Sequence, residues 1–565
     1  MPRLALRKVS SWTTLLVISL CLIFQPLVYA QEVTIAPSTA SSLTTTPTST
    51  SSASPSSSPL LVPTLPFNTT LPPLNASNPS VQINLPASST LYVTLNICGV
   101  GANSSILPRA IISTSSPPSF ILGRTVADPD LGGLQVPNQV NRDGDPTLVS
   151  FNKGFGNWTW NNPDLTVQPS LLLALGIDNN GEIDSSSIPS DNGDVVVHVG
   201  VSSTAPSESI SPSAPLLGDT TQNAVLLFSP LLQQAPILQP TYPNYTLPGA
   251  QLPLVPYAGP SAQTNLTTLS TDLELVVLPT ASSPTNVGLD LSSCAIRSAN
   301  QSSSFLASPG NMLVNATTQW MTVGGVEGYR TMWVLGGLGA ETNYTAWLVD
   351  NRGGLSQPIW FTTKQATFPC QLALPNSLCP NIGYAAPLAP NDTTIALAGT
   401  DVNIAAPLWS LPETTTNLIT TSLNAFSSSL LSSACGRDVF SHISTCLDCY
   451  SSYRDWLCRI AVPQCASGSA SSAPIHPQIA TRTTDQPRIS TLASPYAYTE
   501  LLPCLSTCNK VDRTCPVFLQ FRCPRRLSTG NASYAFVGDD KQVGDGDPAN
   551  GIPAMDRWGN RWCNG

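Results

Sequence analysis

The sequence predicts a multidomain protein, with a β-sandwich-rich N-terminal and middle region and an α-helical, disulfide-rich C-terminal domain. Three observations carry that reading. Alternating, β-branched segments separated by Gly/Asn/Asp turn clusters recur between about residue 81 and residue 366. Twelve of the fourteen cysteines that follow residue 30 lie between Cys370 and Cys563. Beyond Lys364 the apolar spacing becomes helical, with Leu418, Leu423, Leu430 and Leu431 leading into the cysteines.

Residues 1–30 read as a secretory signal. Arg3, Arg7 and Lys8 precede an apolar run over 15–24, Pro26 breaks it, and Val28-Tyr29-Ala30 offers a peptidase site. The run is short for a bilayer span, which favours cleavage over an anchor. Cleavage after Ala30 removes three positive charges and Cys21, moving the formal charge from −9 to −12 and leaving an even fourteen cysteines. In an oxidising compartment that count fits up to seven disulfides.

Residues 31–80 are dominated by Ser, Thr, Pro and Ala and read as a disordered, O-glycosylated stalk. Charged residues make up only 10% of the chain against roughly 25% in ordinary domains, so hydroxyls and sugar must solvate the surface. Asn-x-Ser/Thr sequons begin at Asn68, Asn75, Asn103, Asn157, Asn244, Asn265, Asn300, Asn315, Asn343, Asn391 and Asn531, a spread that fits a glycoprotein. The acidic balance argues against a nucleic-acid or anionic-lipid face. No later segment is apolar for about eighteen residues, and the chain ends without a lipid-anchor tail, so membrane association is expected to come through a partner.

Residues 81–232 form the first β-rich domain, through SVQINLPASSTLYVTLNICG, FNKGFGNWTW, LLLALGI and DVVVHVGV. The DNNGEID segment at 178–184 is not an EF-hand loop: Gly181 is fourth rather than sixth and no terminal Glu follows, so it reads as a turn. Pro-rich residues 233–269 read as a linker. Residues 270–366 contain LELVVLP and then TMWVLGGLGAETNYTAWLVDNRGGLSQPIWFTTK. Leu338, Thr342 and Tyr344 ahead of an alternating strand, an Asn-Arg-Gly-Gly turn and a final strand resemble the end of a fibronectin type III sandwich, which would put Tyr344 at the tyrosine corner.

Residues 367–565 form the third domain, with a polar internal linker at 466–487. Besides Cys98 and Cys294 in the β region, the disulfide candidates are Cys370, Cys379, Cys435, Cys446, Cys449, Cys458, Cys465, Cys504, Cys508, Cys515, Cys523 and Cys563. Steps of three, four, seven and eight put thiols on one helix face, within reach of a neighbouring helix. Zinc would need a second close pair to join Cys446-x2-Cys449, and thioredoxin-like redox chemistry an apolar strand ahead of it; DVFSHIST is not one. Structural disulfides remain, with connectivity open. Only His198, His442 and His476 exist, and no nucleophile elbow, H-E-x-x-H or phosphate loop occurs, so an enzyme is not expected and no cofactor or metal is assigned.

The run CGRDVFSHISTCLDCYSSYRDWLCRIAVPQC, followed by PYAYTELLPCLSTCNKVDRTCPVFLQFRCP, resembles the cysteine-rich region of the fungal Mid (mating-induced death) family, the regulatory component of the stretch-activated, high-affinity calcium channel. The resemblance rests on Tyr-x-x-Trp-Leu-Cys ending at Pro463-x-Cys465, on Pro495-Tyr496, on Leu502-Pro503-Cys504, and on Arg513-x-Cys515-Pro516 leading to Phe521-x-Cys523-Pro524. It implies an extracellular glycoprotein at the plasma membrane, also passing through the endoplasmic reticulum, that associates with a large voltage-gated-type calcium-channel pore subunit. It would support calcium influx in mating or stress. It further implies a frizzled-like helical cysteine-rich domain capping the outer pore loops. Tyr450, Tyr453, Trp456, Tyr496, Arg513, Phe518 and Phe521 are then interface candidates, and Asp438, Asp448 and Asp455 could enrich cations near a pore mouth. Packing of the small domain's own helices is the competing role for the aromatics. A wall-stress sensor or adhesin is the alternative function.

Overall fold

The computed structural model describes residues 60–61, 65–101, 107–114, 146–161, 168–176, 188–189, 193–233, 273–302, 312–350, 354–388, 394–396, 403–405, 411–431, 441, 443–467, 479–484, 488, 492, 494–524, 530, 533–535 and 563–565. All of these belong to one unit, Ser57–Gly565. The signal, most of the stalk, the linker beyond Gln233, the segment at 178–184, the sequons at Asn103, Asn244, Asn265, Asn391 and Asn531, and Cys435, Asp438, His442 and His476 lie outside the described residues.

Period-two alternation builds the first sandwich. Thr90–Val100 buries Leu91, Val93, Leu95 and Ile97 on one face, and Val195–Ser202 buries Val195, Val197, Val199 and Val201. They pair antiparallel in a sheet ordered Phe67–Thr70, Val195–Ser202, Thr90–Val100, Phe155–Asn161. The facing sheet runs Leu60–Leu61, Ser80–Asn84, Ser170–Ala174, Arg109–Ser113, Thr147–Val149, and both inner faces share one core. The fold thus begins upstream of residue 81. Phe67–Thr70 pairs with Val195–Ser202, and Leu71 and Leu74 enter the core while their amides donate to the carbonyls of Val197 and Val195 at 2.9 Å.

The second sandwich crosses the division drawn at 233–269. Ala224–Phe228 pairs antiparallel with Val326–Gly336, in a sheet ordered Leu216–Thr220, Ala224–Phe228, Val326–Gly336, Met312–Val323. Every residue of Ala224–Phe228 is buried, so the strand needs cover on both faces. Val225 and Leu227 face Trp333, Tyr344, Ala346 and Phe361 in the sandwich core; Ala224, Leu226 and Phe228 pack with Met332, Val334 and Leu372. The opposing sheet holds Leu273–Pro279, Asn343–Asp350, Gly354–Leu355 and Ser209–Ile210, with Ile359–Thr362 also on Asn343–Asp350. The Tyr344 hydroxyl accepts from the Gly339 amide at 2.9 Å, closing the turn ahead of its strand.

Helix α1 (Ser293–Ser302) lies between the two sandwiches. Ile296 packs with Val276, Leu278 and Trp347 of the second, whereas Ala295 enters the core of the first. Cys294 is bonded to Cys98, and the Ser292 hydroxyl donates to the Ile97 carbonyl at 2.9 Å. The Lys153-Gly154 turn approaches closely here: Gly154 has φ +88°, and a Cβ on it would stand 2.8 Å from the Leu289 side chain.

The C-terminal domain, called the cap below, contains α2 (Glu413–Leu431), α3 (Cys446–Ala461) and α4 (Leu505–Thr514). A small sheet orders Gln464–Cys465, Tyr498–Leu501, Ile479–Arg482. Ile479–Arg482 falls in the segment read as polar linker; it pairs antiparallel with Tyr498–Leu501, and Arg482 Nε lies 2.5 Å from Oε2 of the buried Glu500. Helix α3 opens on a capping box, in which Asp448 N donates to Thr445 Oγ1 at 3.1 Å and Thr445 N to Asp448 Oδ2 at 2.8 Å.

Candidate partner interface

Disulfides fix the cap from several sides. Cys449 on α3 is bonded to Cys515 just beyond α4, Cys508 on α4 to Cys523, and Cys504 to Cys563. Cys379 and Cys370 tie the strand region to Cys458 and Cys465. Cys446 is also disulfide-bonded. The structure therefore brings thirteen of the fourteen candidates into disulfides. It differs from the expected helix-to-helix pairing: among the bridges whose two cysteines are both described, only Cys449–Cys515 links α3 to the α4 terminus, and the others run to loops and strands. Cys446 and Cys449, the C-x2-C pair, are not bonded to each other.

An aromatic cluster spans the helices. Tyr453 stacks on Phe426 of α2 with centroids 3.7 Å apart, Trp456 lies 5.5 Å from Tyr453, and Phe521 meets Trp456 edge-on at 5.0 Å. Trp456 Nε1 donates to the Tyr534 hydroxyl at 2.8 Å, and the Tyr496 hydroxyl donates to the Leu388 carbonyl at the same distance. Burial raises the phenols of Tyr450, Tyr453, Tyr496 and Tyr534, so they remain neutral. Of the seven interface candidates, Tyr450 is buried and Tyr453, Trp456, Tyr496 and Phe521 are partly covered by the cap itself. Arg513 and Phe518 face solvent.

The acids take structural positions. Asp448 caps α3, and Asp455 Oδ1 lies 3.8 Å from the guanidinium of Arg454. Fully buried Arg454 donates from Nη2 to Glu327 Oε1 at 2.7 Å, across to the Val326–Gly336 strand of the second sandwich. Asp219 makes a second joint. It accepts from Thr220 N at 2.8 Å, Gln464 Nε2 at 2.9 Å and Ala385 N at 3.1 Å, with Lys364 Nζ 3.5 Å away. Glu500 is enclosed by Arg482 and Arg488. Sequence reasoning missed Arg454, Asp219 and Phe426; an arginine amid the apolar face of a cysteine-rich helix was the one visible signal.

Among the sequons, Asn68, Asn157 and Asn343 are exposed on strands, and Asn75 and Asn300 are partly exposed. Asn315 lies on Met312–Val323. Among the described residues no helix is long and apolar enough to cross a membrane, and no group of three or more His, Cys, Asp or Glu is arranged to hold a metal.

The family model for Mid1, described as stretch-activated Ca2+-permeable channel component, matches residues 90–548. That range takes in the second sandwich, the cap helices and the first sandwich from Thr90 onward, leaving Leu60–Leu61, Phe67–Thr70 and Ser80–Asn84 upstream of it. The chain is 48% identical over 531 residues to the stretch-activated cation channel MID1 of Cryptococcus neoformans, covering 89% of this chain and 84% of that protein. It is 30% identical over 220 residues to the protein of the same description from Saccharomyces cerevisiae, 36% of this chain and 37% of that one. The stretch-activated cation channel yam8 of Schizosaccharomyces pombe is 29% identical over 275 residues, 46% of this chain and 51% of its own length.

Proposed function

Because the chain belongs to the Mid1 family of stretch-activated Ca2+-permeable channel components, we propose that it is the extracellular, glycosylated regulatory subunit of a plasma-membrane calcium channel, supporting calcium influx in stress or mating. The cap docks on a large voltage-gated-type pore subunit, and membrane association comes through that partner. The observation that carries this reading is the cap itself. Its helices, loops and small sheet are held by disulfides into one preorganised body, which lowers the entropy lost on binding.

The disulfides also support an oxidising, extracellular setting, and the exposed Asn68, Asn157 and Asn343 support N-glycosylation. The hydroxyl of Tyr344 bonding back to Gly339 supports a fibronectin type III-like second sandwich. The disulfide-stapled helices support a frizzled-like cap. Family membership points to a channel component rather than an enzyme. The test is purification of the tagged full-length glycoprotein from native membranes in mild detergent. A large channel polypeptide should copurify; clean recovery of the bait without one would overturn the reading.

A further inference from the structure

The turn that follows α4 is held rigidly and faces outward. Cys515 at its start is bonded to Cys449 on α3, and Cys523 at its end returns to Cys508 on α4. Between them Pro516 is buried, and Leu519 and Phe521 pack against the cap core. A single 3-10 turn, Val517–Leu519, closes on Gln520 at φ 53°, whose amide donates to the Val517 carbonyl at 3.0 Å. Left outside are Val517, 85% exposed, and Phe518, 50% exposed. A turn that only reverses the chain takes Gly, Asn, Asp or Ser.

These two side chains have company. Ile443 and Leu447, 92% and 44% exposed, precede Cys449 by six and two residues. Four of the nine exposed large apolar side chains among the described residues therefore lie within six positions of one half of the Cys449–Cys515 bridge. Single exposed apolar residues need no explanation, whereas Val517 and Phe518 stand side by side on a turn fixed at both ends by disulfides. The charge is as uneven. Lys510, Arg513 and Arg522 are exposed, and with Arg525 and Arg526 five of the chain's 24 lysines and arginines fall within residues 510–526, beside the single acid Asp512. The net charge of −9 conceals this local reversal of sign.

We infer that residues 515–523 are the docking tip of the cap and that their occupant is an acidic protein surface, an apolar pocket rimmed by carboxylates on the outer face of the cation-conducting partner. The inference rests on the function proposed above. A cation pathway concentrates its ions with carboxylates at its mouth, so that surface is negative. An acidic chain is repelled from it except where its own sign reverses, and the basic tip thereby selects the orientation of approach. A lipid surface fits less well, because interfacial binding uses the long apolar face of an amphipathic helix, whereas this element is one short turn.

The test uses the full-length tagged protein in its native host, with copurification in mild detergent as readout. Val517→Ser/Phe518→Ser and Arg513→Glu/Arg522→Glu are each compared with Val287→Ser, an exposed apolar residue of the second β region. Recovery of the channel polypeptide should fall at least about tenfold in both tip variants, the loss expected of a binding hot spot, and stay unchanged in the control. Raising salt should weaken the wild-type complex and, by screening the repulsion between the new glutamates and the acidic surface, strengthen the charge-reversed variant's residual binding. Secreted yield and melting temperature verify folding. If the serine pair fails to be secreted, the charge reversal and Phe518→Ala carry the test. Wild-type recovery by either folded tip variant would overturn the inference alone. So would unaltered copurification combined with Phe518-dependent flotation on phosphatidylserine/phosphatidylcholine vesicles, which would assign the tip to the bilayer. Absence of the channel polypeptide from the wild-type sample would instead remove the function on which it rests.

Discussion

At the scale of the residue, Arg454 has the most to lose. Its guanidinium is fully buried, and the carboxylate it bonds to belongs to another layer of the molecule, at Glu327. Removing one partner of such a pair leaves a buried charge uncompensated, at a cost of about 3–5 kcal/mol. The Asp455 carboxylate stays 3.8 Å from the guanidinium and Glu327 keeps some contact with water, so Glu327→Ala should cost about 3 kcal/mol, the low end of that range. Replacing both partners, as Arg454→Met/Glu327→Leu, should recover most of it, and denaturant unfolding of the two variants decides the matter. A second residue-scale outcome concerns alkali. Burial first and the Glu500 carboxylate second push the Tyr498 phenol up to about 12 from an ordinary 10.0. A phenol raised in the folded state contributes stability that is complete below pH 10 and is lost as the pH rises through about 12. The melting temperature should therefore fall across that window in step with tyrosinate absorbance, and Tyr498→Phe should flatten the fall.

At the scale of the element, α3 and the turn after α4 behave differently. The capping box at Thr445 and Asp448 satisfies donors that would otherwise be orphaned, and Thr445→Ala should cost about 1 kcal/mol in thermal unfolding. Cys449–Cys515 spans 66 residues and Cys508–Cys523 spans 15. Loop-closure entropy gives roughly 4 kcal/mol for the first and roughly 3 for the second. Paired Cys→Ser variants, compared under reducing-agent-free denaturation, should show that order. Sequence made the helices legible, because Leu423 and Leu430 keep a helical period, and it made the cysteines conspicuous. It could not give their partners: spacing constrains a pair only when both thiols share a short loop, as Cys508 and Cys523 do, whereas Cys379–Cys458 and Cys98–Cys294 span 79 and 196 residues. For the aromatics, sequence left two roles open, partner contact and packing of the domain's own helices. Tyr453 and Trp456 are spaced to face one direction, and that direction is inward, against Phe426 and Phe521.

Across the whole molecule, the layers are joined by polar groups that no local pattern announces. Asp219 collects donors from its own strand, from Ala385 and from Gln464, and Arg454 reaches Glu327, so the cap and the second sandwich share buried bonds. Calorimetry should show these two layers melting in one transition, and Asp219→Ala should split it in two. The reading of the chain as successive modules divided by a linker follows composition, which tracks solvent exposure. Pairing partners for a wholly buried strand such as Ala224–Phe228 have to be found elsewhere, because a strand without alternation says nothing about which neighbour covers it.

That strand sets a clock on biosynthesis. Leu216–Thr220 on one edge is already made, but Phe228 pairs with Met332 and Ala224 with Gly336 on the other, so more than a hundred residues must be synthesised before that second partner strand exists. At about 5–20 residues per second the nascent chain carries five consecutive apolar residues without their native cover for roughly 5–20 s. Chaperone demand should peak in that interval, and truncations ending between residues 233 and 325 should aggregate where those extending past Gly336 do not.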